Sequence, residues 1–456
     1  MAQGQSSKHV LKTKRDAAWG KYKPVSAWLE TPTDIQPRLE GAVNADVIVA
    51  GGGYAGLSTA LELRARGADV ILLEREFAGW GASGRNGGYL VGAQNFDFAF
   101  VKRVGREHAQ RIIAFYQEAI AYVERKFTEY GIDCDYRASG TIKAGVHPTQ
   151  EAKLLQLIKT AGEFGIPARF LDYAEMRARG IPPAFLFGFF SEQGGTLNPG
   201  KYVLGLRRAA LSAGVKIFED TALLSYTEGK IVRCETAHGQ AHAPFMVLAT
   251  NGWTNQLGLL KDKTTPVRAS LIETAPLSPA QLKEVGWPNR EGLLTAHNVL
   301  ESYHLTASNT LVVGVKMSAV YGSNMPNVPN DAAYRALHST LVDRLPALRG
   351  QPIRACWSGY VSYADDGISV VGEMGDAQNI LYAAGCSGRG IASHSFIGLL
   401  FAQKISGVEN PHLTALRHDT PKVPAGLLRC GMMSSMLGVA ELMDAQLNRK
   451  IRKEAR

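Results

Sequence analysis

Between Asp46 and Glu74 the chain reads as a short β-branched run, a glycine turn, a helical stretch ending at Gly67 and a second apolar run from Ala68 to Leu73. That order is one βαβ unit, which commits its strands to a parallel sheet with a helix on its face. The turn is Gly51-Gly52-Gly53-Tyr54-Ala55-Gly56. Gly51 suits the tight turn, Gly53 lets backbone N–H groups approach a pyrophosphate, and Gly56 lets the helix pack close on the strand. Phosphates are then expected at the helix N-terminus, beside Tyr54 and Ala55, where unpaired N–H groups and the dipole both favour negative charge. Glu74 closes the second strand 18 positions after Gly56. A carboxylate there can accept both ribose hydroxyls and repels a 2′-phosphate, which argues against NADP. A bare GxGxxG also occurs in turns that bind nothing. Strand, helix and acid agree here, and the segment is read as a dinucleotide grip with Arg75 at its edge.

The segment after Glu74 separates FAD from NAD. A nicotinamide dehydrogenase would normally continue into another helix and strand, whereas this chain runs into Gly79-Trp80-Gly81-Ala82-Ser83-Gly84-Arg85-Asn86-Gly87-Gly88. So much glycine suits backbone lying flat against a rigid ligand. On these residues the sequence resembles the FAD-dependent amine oxidoreductases of the D-amino-acid, glycine and sarcosine oxidase superfamily. It most resembles the gamma-glutamylputrescine oxidoreductase branch, whose GWGASGRNGG signature stands at residues 79 to 88. The resemblance implies that this loop runs along the flavin and its pyrophosphate, with Gly81, Ala82, Ser83, Arg85, Asn86, Gly87 and Gly88 as FAD contacts.

The same resemblance, specific at both ends of residues 27 to 407 and weaker between, assigns the remaining site residues. Asn198-Pro199-Gly200-Lys201-Tyr202 returns the chain to the FAD domain, Leu223 is the expected backbone contact to the adenine, and the strand ending in Thr250-Asn251 with Trp253 lies under the adenine side. Taken alone, that strand reads equally as a buried strand with a capped turn. Near the C-terminus, Gly385-Cys386-Ser387-Gly388-Arg389-Gly390-Ile391 is a strand, a glycine turn and a helix start. It resembles the family's flavin-binding G-x-S-G-H-G, and implies contacts from Gly388, Arg389, Gly390 and Ile391. Arg389 replaces the usual histidine, and a cation there would raise the flavin potential if its side chain points inward. Covalent attachment through Cys386 is not expected. Short strands over 264 to 320 are expected to form an antiparallel sheet roofing the substrate pocket. Tyr303, His304 and Trp357 are the catalytic candidates, with Arg268 or Lys316 for a substrate carboxylate. His304 stands where relatives often carry arginine, as a polar anchor or a satisfied core residue.

The expected fold is α/β, a Rossmann-like FAD-binding domain (45–90, 195–263 and 353–410) intertwined with an α+β substrate domain (91–194 and 264–352) that holds the antiparallel sheet. An N-terminal basic arm and linker (1–44) and a C-terminal amphipathic helix with a basic tail (411–456) flank it. The formal charge of +9 gathers at the two ends and makes weak evidence for nucleic acid, so none is expected as a partner. Five scattered cysteines without a CxxC pair give neither a disulfide framework nor a metal site and suit a reducing, cytoplasmic setting. The arm lacks the apolar core of a secretory signal, and reads as a solvated tail or as a membrane or partner contact. Leu428, Met432, Met436, Val439, Met443 and Leu447 form one helical stripe before a basic terminus. That helix either lies peripherally on the inner face of a membrane through residues 426–456 or packs on the FAD domain.

The implied activity is oxidation of a primary or secondary amine by hydride transfer to flavin N5, followed by hydrolysis of the imine. The first-choice substrate is gamma-glutamylputrescine-like, and oxygen or a quinone is the electron acceptor. The alternatives are an imino-acid oxidase or dehydrogenase of the L-pipecolate type, and a non-catalytic flavin-bound electron-transfer subunit.

Overall fold

In a computed structural model, residues 20–92, 98–320 and 325–454 are described. The lysines and arginines of the N-terminal arm before Gly20, and the last two residues of the basic tail, lie outside them.

The βαβ unit forms as its pattern requires. Val47–Ala50 and Val70–Leu73 pair in parallel, and both strands are buried at every position because the sheet is covered on its two faces. They sit inside a six-stranded sheet ordered Lys216–Phe218, Val70–Leu73, Val47–Ala50, Phe245–Leu248, Ile380–Ala384, Val370–Met374. All neighbours are parallel except the last pair. The helices Tyr54–Arg64 and Gly390–Ile405 pack on one another, closely enough that a Cβ at Gly398 would stand 2.5 Å from Ser58 Cβ. Two chain segments far apart in sequence thus share one layer.

The second body is a nine-stranded mixed sheet, ordered Lys21–Tyr22, Ile353–Ala364, Thr264–Thr274, Leu311–Ala319, Ser302–Leu305, Gly292–Thr295, Thr141–Gly145, Phe187–Ser191, Ala168–Leu171. Helix Asp331–Arg344 buries Tyr334, Leu337 and Leu341 against one of its faces. Ile112, Tyr116, Ile120 and Val123, whose spacing in sequence is that of one helical face, are buried along helix Arg106–Glu129, which packs with Phe396 and Phe401 of the Gly390–Ile405 helix.

Three sequence expectations need correction. Residues 353–364, assigned to the FAD-binding part, are the second strand of the nine-stranded sheet, paired along Thr264–Thr274. The turn to the other sheet comes only after Asp366. The 166–190 stretch, whose Pro167, Pro182 and Pro183 lead one to expect extended backbone, contains a helix Tyr173–Ala178 started by an Asp172/Glu175 capping box. The C-terminal helix runs Leu427–Glu454 and packs on the nine-stranded sheet rather than on the FAD domain. Its apolar stripe faces outward, with Met436 and Val439 each 60% exposed, and Arg429, Met433 and Asp444 face inward instead.

One buried ion-pair network ties the linker to this frame. Arg207 donates to both carboxylate oxygens of Glu219 at 2.8 Å and to both of Asp34 at 2.9 Å. Glu219 also accepts from the backbone N–H of Gln36 and of Ala78. Removing one partner would strand charge in the interior, so this arrangement fixes residues 34–39 against the loop that begins at Phe77.

Candidate active site

The two sheets and the two helix N-termini surround one cavity of about 700 Å³. Its walls come from residues 50–55, 73–75, 80–83, 85–87, 222–224, 249–251, 253, 256, 257 and 386–391, with the nine-stranded sheet opposite. The front turn is built for close approach. Gly51 has φ +107°, and a Cβ on it would stand 2.6 Å from Ala249 O. A Cβ on Gly56 would lie 1.9 Å from Gly51 O, so Gly56 lets the helix start directly against the strand and itself stays off the cavity wall.

Both helices begin uncapped. Tyr54–Arg64 follows Gly53, and Gly390–Ile405 follows Arg389, with no side-chain cap and no acid in either first turn. Two helix N-termini thus open on one space with little to neutralise them, an arrangement suited to a ligand with negative charge at two places. Asn251 Oδ1 and His394 Nε2, buried in residues that line the same cavity, have no partner within the protein. These observations fit a large polar cofactor.

Glu74 lines the cavity, its Oε2 accepting from Gly52 N at 2.7 Å and its Oε1 from Glu76 N at 3.0 Å. Burial raises its carboxyl above the usual range, and the two N–H donors pull the other way. Each oxygen keeps a lone pair for a ligand hydroxyl. Arg75 lies 5.3 Å from the Trp80 ring and 4.9 Å from the Trp253 ring, making an aromatic and cationic corner beside Leu223. In the glycine loop, Ser83 Oγ accepts from Tyr54 N and Asn86 donates to Ser83 O, which stitches the loop to the helix start. Arg85 donates to Trp80 O and Ser358 O and lies over the Trp80 ring; burial pulls its guanidinium down to about 10. Gly88 is behind the wall, where a Cβ would meet Leu197 O.

At the rear turn Gly388, Arg389, Gly390 and Ile391 all reach the cavity. The Arg389 guanidinium donates to Gly367 O and lies 5.0 Å from the Tyr116 ring centroid, so its charge is committed to a carbonyl and an aromatic face. Burial keeps the Cys386 sulfur a thiol by raising its pKa.

The three catalytic candidates do not line this cavity; alternation along the strand explains Tyr303, whereas His304 and Trp357 sit on cavity-side faces but beyond the cavity or behind another side chain. Ser302 faces the cavity, which turns Tyr303 to the other side of the sheet, where it is fully buried and hydrogen-bonded to Glu301 and Thr340 O. His304 returns to the Ser302 side but lies past the cavity, packed on Trp28 with Nδ1 3.0 Å from Gly87 O. Burial lowers its pKa to about 4. Trp357 shares a face with Gly359, Val361 and Tyr363, which do line the cavity, but is itself covered by Trp28 and donates to Arg85 O. His304 and Trp357 therefore brace the glycine loop from behind. Arg268 and Lys316 also point away, the first to Val328 O and the second to Glu441, since their neighbours Ala269, Val315 and Met317 take the cavity side.

The wall facing the two turns is formed by Tyr89, Leu271, Leu294, Val315, Met317 and Tyr363, with Ser302 and Asn298 as polar points. None of the residues that the nine-stranded sheet contributes to the cavity is charged. His394, also on the wall, was not anticipated from sequence. Its signal was available, one helical turn after Ile391 on the same face. Burial lowers its pKa to about 4, so it is neutral at ordinary pH.

Comparison with known proteins agrees with this geometry. The family profile described as DAO, FAD dependent oxidoreductase, matches residues 46–404. The chain is 29% identical over 392 residues to a gamma-glutamylputrescine oxidoreductase of Escherichia coli, covering 85% of this chain and 88% of that one. It is 28% identical over 382 residues to a probable oxidoreductase, OrdL, of Haemophilus influenzae, covering 81% and 85%. In fold it is similar to glycine oxidase from Geobacillus kaustophilus, with a TM-score of 0.70 at 21% identity over 80% of this chain and 96% of that one.

Proposed function

Since the chain belongs to the DAO family of FAD-dependent oxidoreductases, and is an enzyme of amine or amino-acid oxidation, we propose that it oxidises an amine lacking an α-carboxylate, of the gamma-glutamylputrescine type. The observation that carries this reading is the uncharged sheet wall. An amino or imino acid brings a carboxylate on the very carbon to be oxidised, which needs a fixed cation at that wall, and both candidate cations face the wrong way; a gamma-glutamylated diamine carries its carboxylate at the far end, away from the oxidised carbon. The name of the Escherichia coli relative points in the same direction.

FAD, when bound, supplies a two-electron acceptor that takes a hydride at N5. The pyrophosphate is assigned to the Gly51–Ala55 turn and helix start, the ribose hydroxyls to Glu74, and the adenine to the corner of Leu223, Arg75 and Trp253. Thr250 and Asn251 support that side. Residues 81–83 and 85–87 would lie along the cofactor, and Gly388–Ile391 would hold the far end of its ring.

The apolar wall favours the neutral amine, because moving an unpaired ammonium from water onto it is costly. The nitrogen lone pair then stabilises the iminium carbon left as the C–H bond gives up its hydride. Tyr89, Leu271, Leu294 and Met317 exclude water and hold the carbon in reach. No strong general base is needed, in keeping with an absence of carboxylates among the described residues on that wall. Hydrolysis of the released imine by one water gives an aldehyde and ammonia, or a primary amine in place of ammonia where the substrate nitrogen is secondary. The acceptor for the second half-reaction is oxygen or a quinone.

The cytoplasm is the proposed location. The outward stripe of the Leu427–Glu454 helix and its basic end support a peripheral contact with an anionic membrane surface. No helix among the described residues is long and apolar enough to cross a membrane. Flotation with anionic vesicles tests that contact, and complete recovery in the soluble fraction at low salt removes it. The main reading is tested by anaerobic titration of the purified flavoprotein with amines and amino acids. Bleaching by gamma-glutamylated diamines and not by L-pipecolate is expected. Bleaching by imino acids alone would reverse the assignment, and no bleaching at all would favour an electron-transfer subunit.

A further inference from the structure

The family match ends at residue 404, yet a helix beyond it holds a loop that contributes to the cavity wall. Asp444, on the inward face of the Leu427–Glu454 helix, is buried and accepts three hydrogen bonds from a single loop. Asn298 N and Asn298 Nδ2 donate to its Oδ1 at 3.0 Å each, and Val299 N donates to its Oδ2 at 2.8 Å. One turn later Asn448 Oδ1 is 2.6 Å from Arg344 Nη2 and 3.2 Å from His297 Nε2. Arg344 in turn pairs with Glu301 at 3.0 Å. The loop from His297 to Glu301 is therefore held from outside the family-matched body, and two of its residues, Asn298 and Leu300, line the cavity.

The chemistry of this clamp sets what the loop offers. A carboxylate can only accept, so Asp444 fixes the Asn298 amide with its NH₂ toward the helix and leaves the carbonyl oxygen for a ligand. Asn298 is exposed at the cavity wall, not sunk in the core. An oriented carbonyl beside an uncharged wall accepts from an N–H and gives nothing to a carboxylate. We infer that Asn298, aimed by Asp444 of the C-terminal helix, is a specificity-determining acceptor for an amide or ammonium N–H on the part of the substrate remote from the oxidised carbon. This inference rests on the amine reading above and deepens it: the substrate carries a second N–H group beyond its reacting amine, and the C-terminal helix is part of the substrate site.

The experiment compares kcat/KM for a gamma-glutamylated diamine with that for a short monoamine such as propylamine, in holoenzyme of known flavin content and melting temperature. In Asn298→Ala and in Asp444→Ala the preference for the long amine falls about tenfold, carried by KM, as expected for loss of one hydrogen bond to substrate. Asp444→Glu restores part of it. Glu441→Gln, which breaks the Lys316 pair elsewhere on the same helix, leaves the preference intact. If Asn298→Ala keeps the wild-type preference, or loses both substrates equally, the inference is overturned while the amine reading stands. If no amine bleaches the wild-type flavin, the amine reading falls and this inference with it.

Discussion

Gly56→Ala puts the closest contact of the FAD grip to a direct test. The added methyl would begin 1.9 Å from Gly51 O and 3.2 Å from Val49 Cγ1, against a floor near 3.0 Å for real Cβ contacts, so the helix start must retreat by about 1 Å or more. Two effects compete. Alanine gains up to about 1 kcal/mol over glycine in helix propensity, whereas forced overpacking costs about 1 to 3 kcal/mol. Because the obstacle is a backbone carbonyl that cannot rotate aside, overpacking should win. The retreat moves the N–H groups to which the pyrophosphate is assigned above, so the cost is expected to fall on cofactor binding. At 1.4 kcal/mol per tenfold, FAD affinity should drop by about tenfold to a hundredfold. Flavin content after purification and titration of apoprotein by FAD fluorescence quenching both measure this. Gly438→Ala is the control, a helical glycine with nothing within 4 Å, which should keep full flavin and gain slightly in stability. A Gly56→Ala protein that binds FAD as the wild type does, at unchanged melting temperature, would refute the close-packing argument.

Glu219→Ala leaves the buried Arg207 with Asp34 as its remaining carboxylate and strips acceptors from Gln36 N and Ala78 N, so chemical denaturation should show a loss of about 3 kcal/mol. Tyr303→Phe should lower stability by about 1 kcal/mol through the lost hydroxyl bond to Glu301, while the rate of flavin reduction by the best amine stays within about twofold of wild type. A fall of a hundredfold in that rate would restore Tyr303 as a catalytic residue. His418 and Asp366 form a half-hidden pair at 2.8 Å. Burial works against the charge on each, but their mutual bond outweighs it, so His418 titrates above its ordinary 6.5 and Asp366 below its ordinary 3.8. The histidine's contribution is full below 6.5 and fades as pH rises through its folded pKa; the aspartate's is full above 3.8 and fades as pH falls through its own. The melting-temperature gap between wild type and His418→Gln should therefore be widest between those two values and close toward alkaline pH.

Local chemistry made much of this molecule legible. The βαβ unit, the glycine loop and the rear turn are each written in consecutive residues, and all three converge on one cavity. Glu74 was readable because the distance from a glycine turn to the end of the next strand is fixed by the helix between them. The substrate wall was not readable in the same way. Whether Tyr303 or Ser302 meets the ligand depends on which face of a strand is turned inward, and a one-residue difference reverses it. Ser302-Tyr303-His304-Leu305 is buried at every position, so no polar and apolar alternation marked its faces. For the C-terminal helix the pattern misled in a definite direction. Its apolar residues are the conspicuous ones, yet the face that docks is held by Arg429, Asp444 and Asn448 through hydrogen bonds with Thr265, with the loop at Val299 and with Arg344. Hydropathy does not report such partners.

The central strand arrangement also dictates a timetable for biosynthesis. Phe245–Leu248 acquires its second neighbour only when Ile380–Ala384 arrives, and the succeeding helix must lie down on Tyr54–Arg64 before the rear wall exists. A nascent chain still tethered at the ribosome before that point can present the front glycines but has no enclosure to retain a nucleotide. Cofactor capture is thereby expected to wait until residues 380–405 have emerged, and FAD supply should govern how much folded protein survives rather than how fast its early segments collapse.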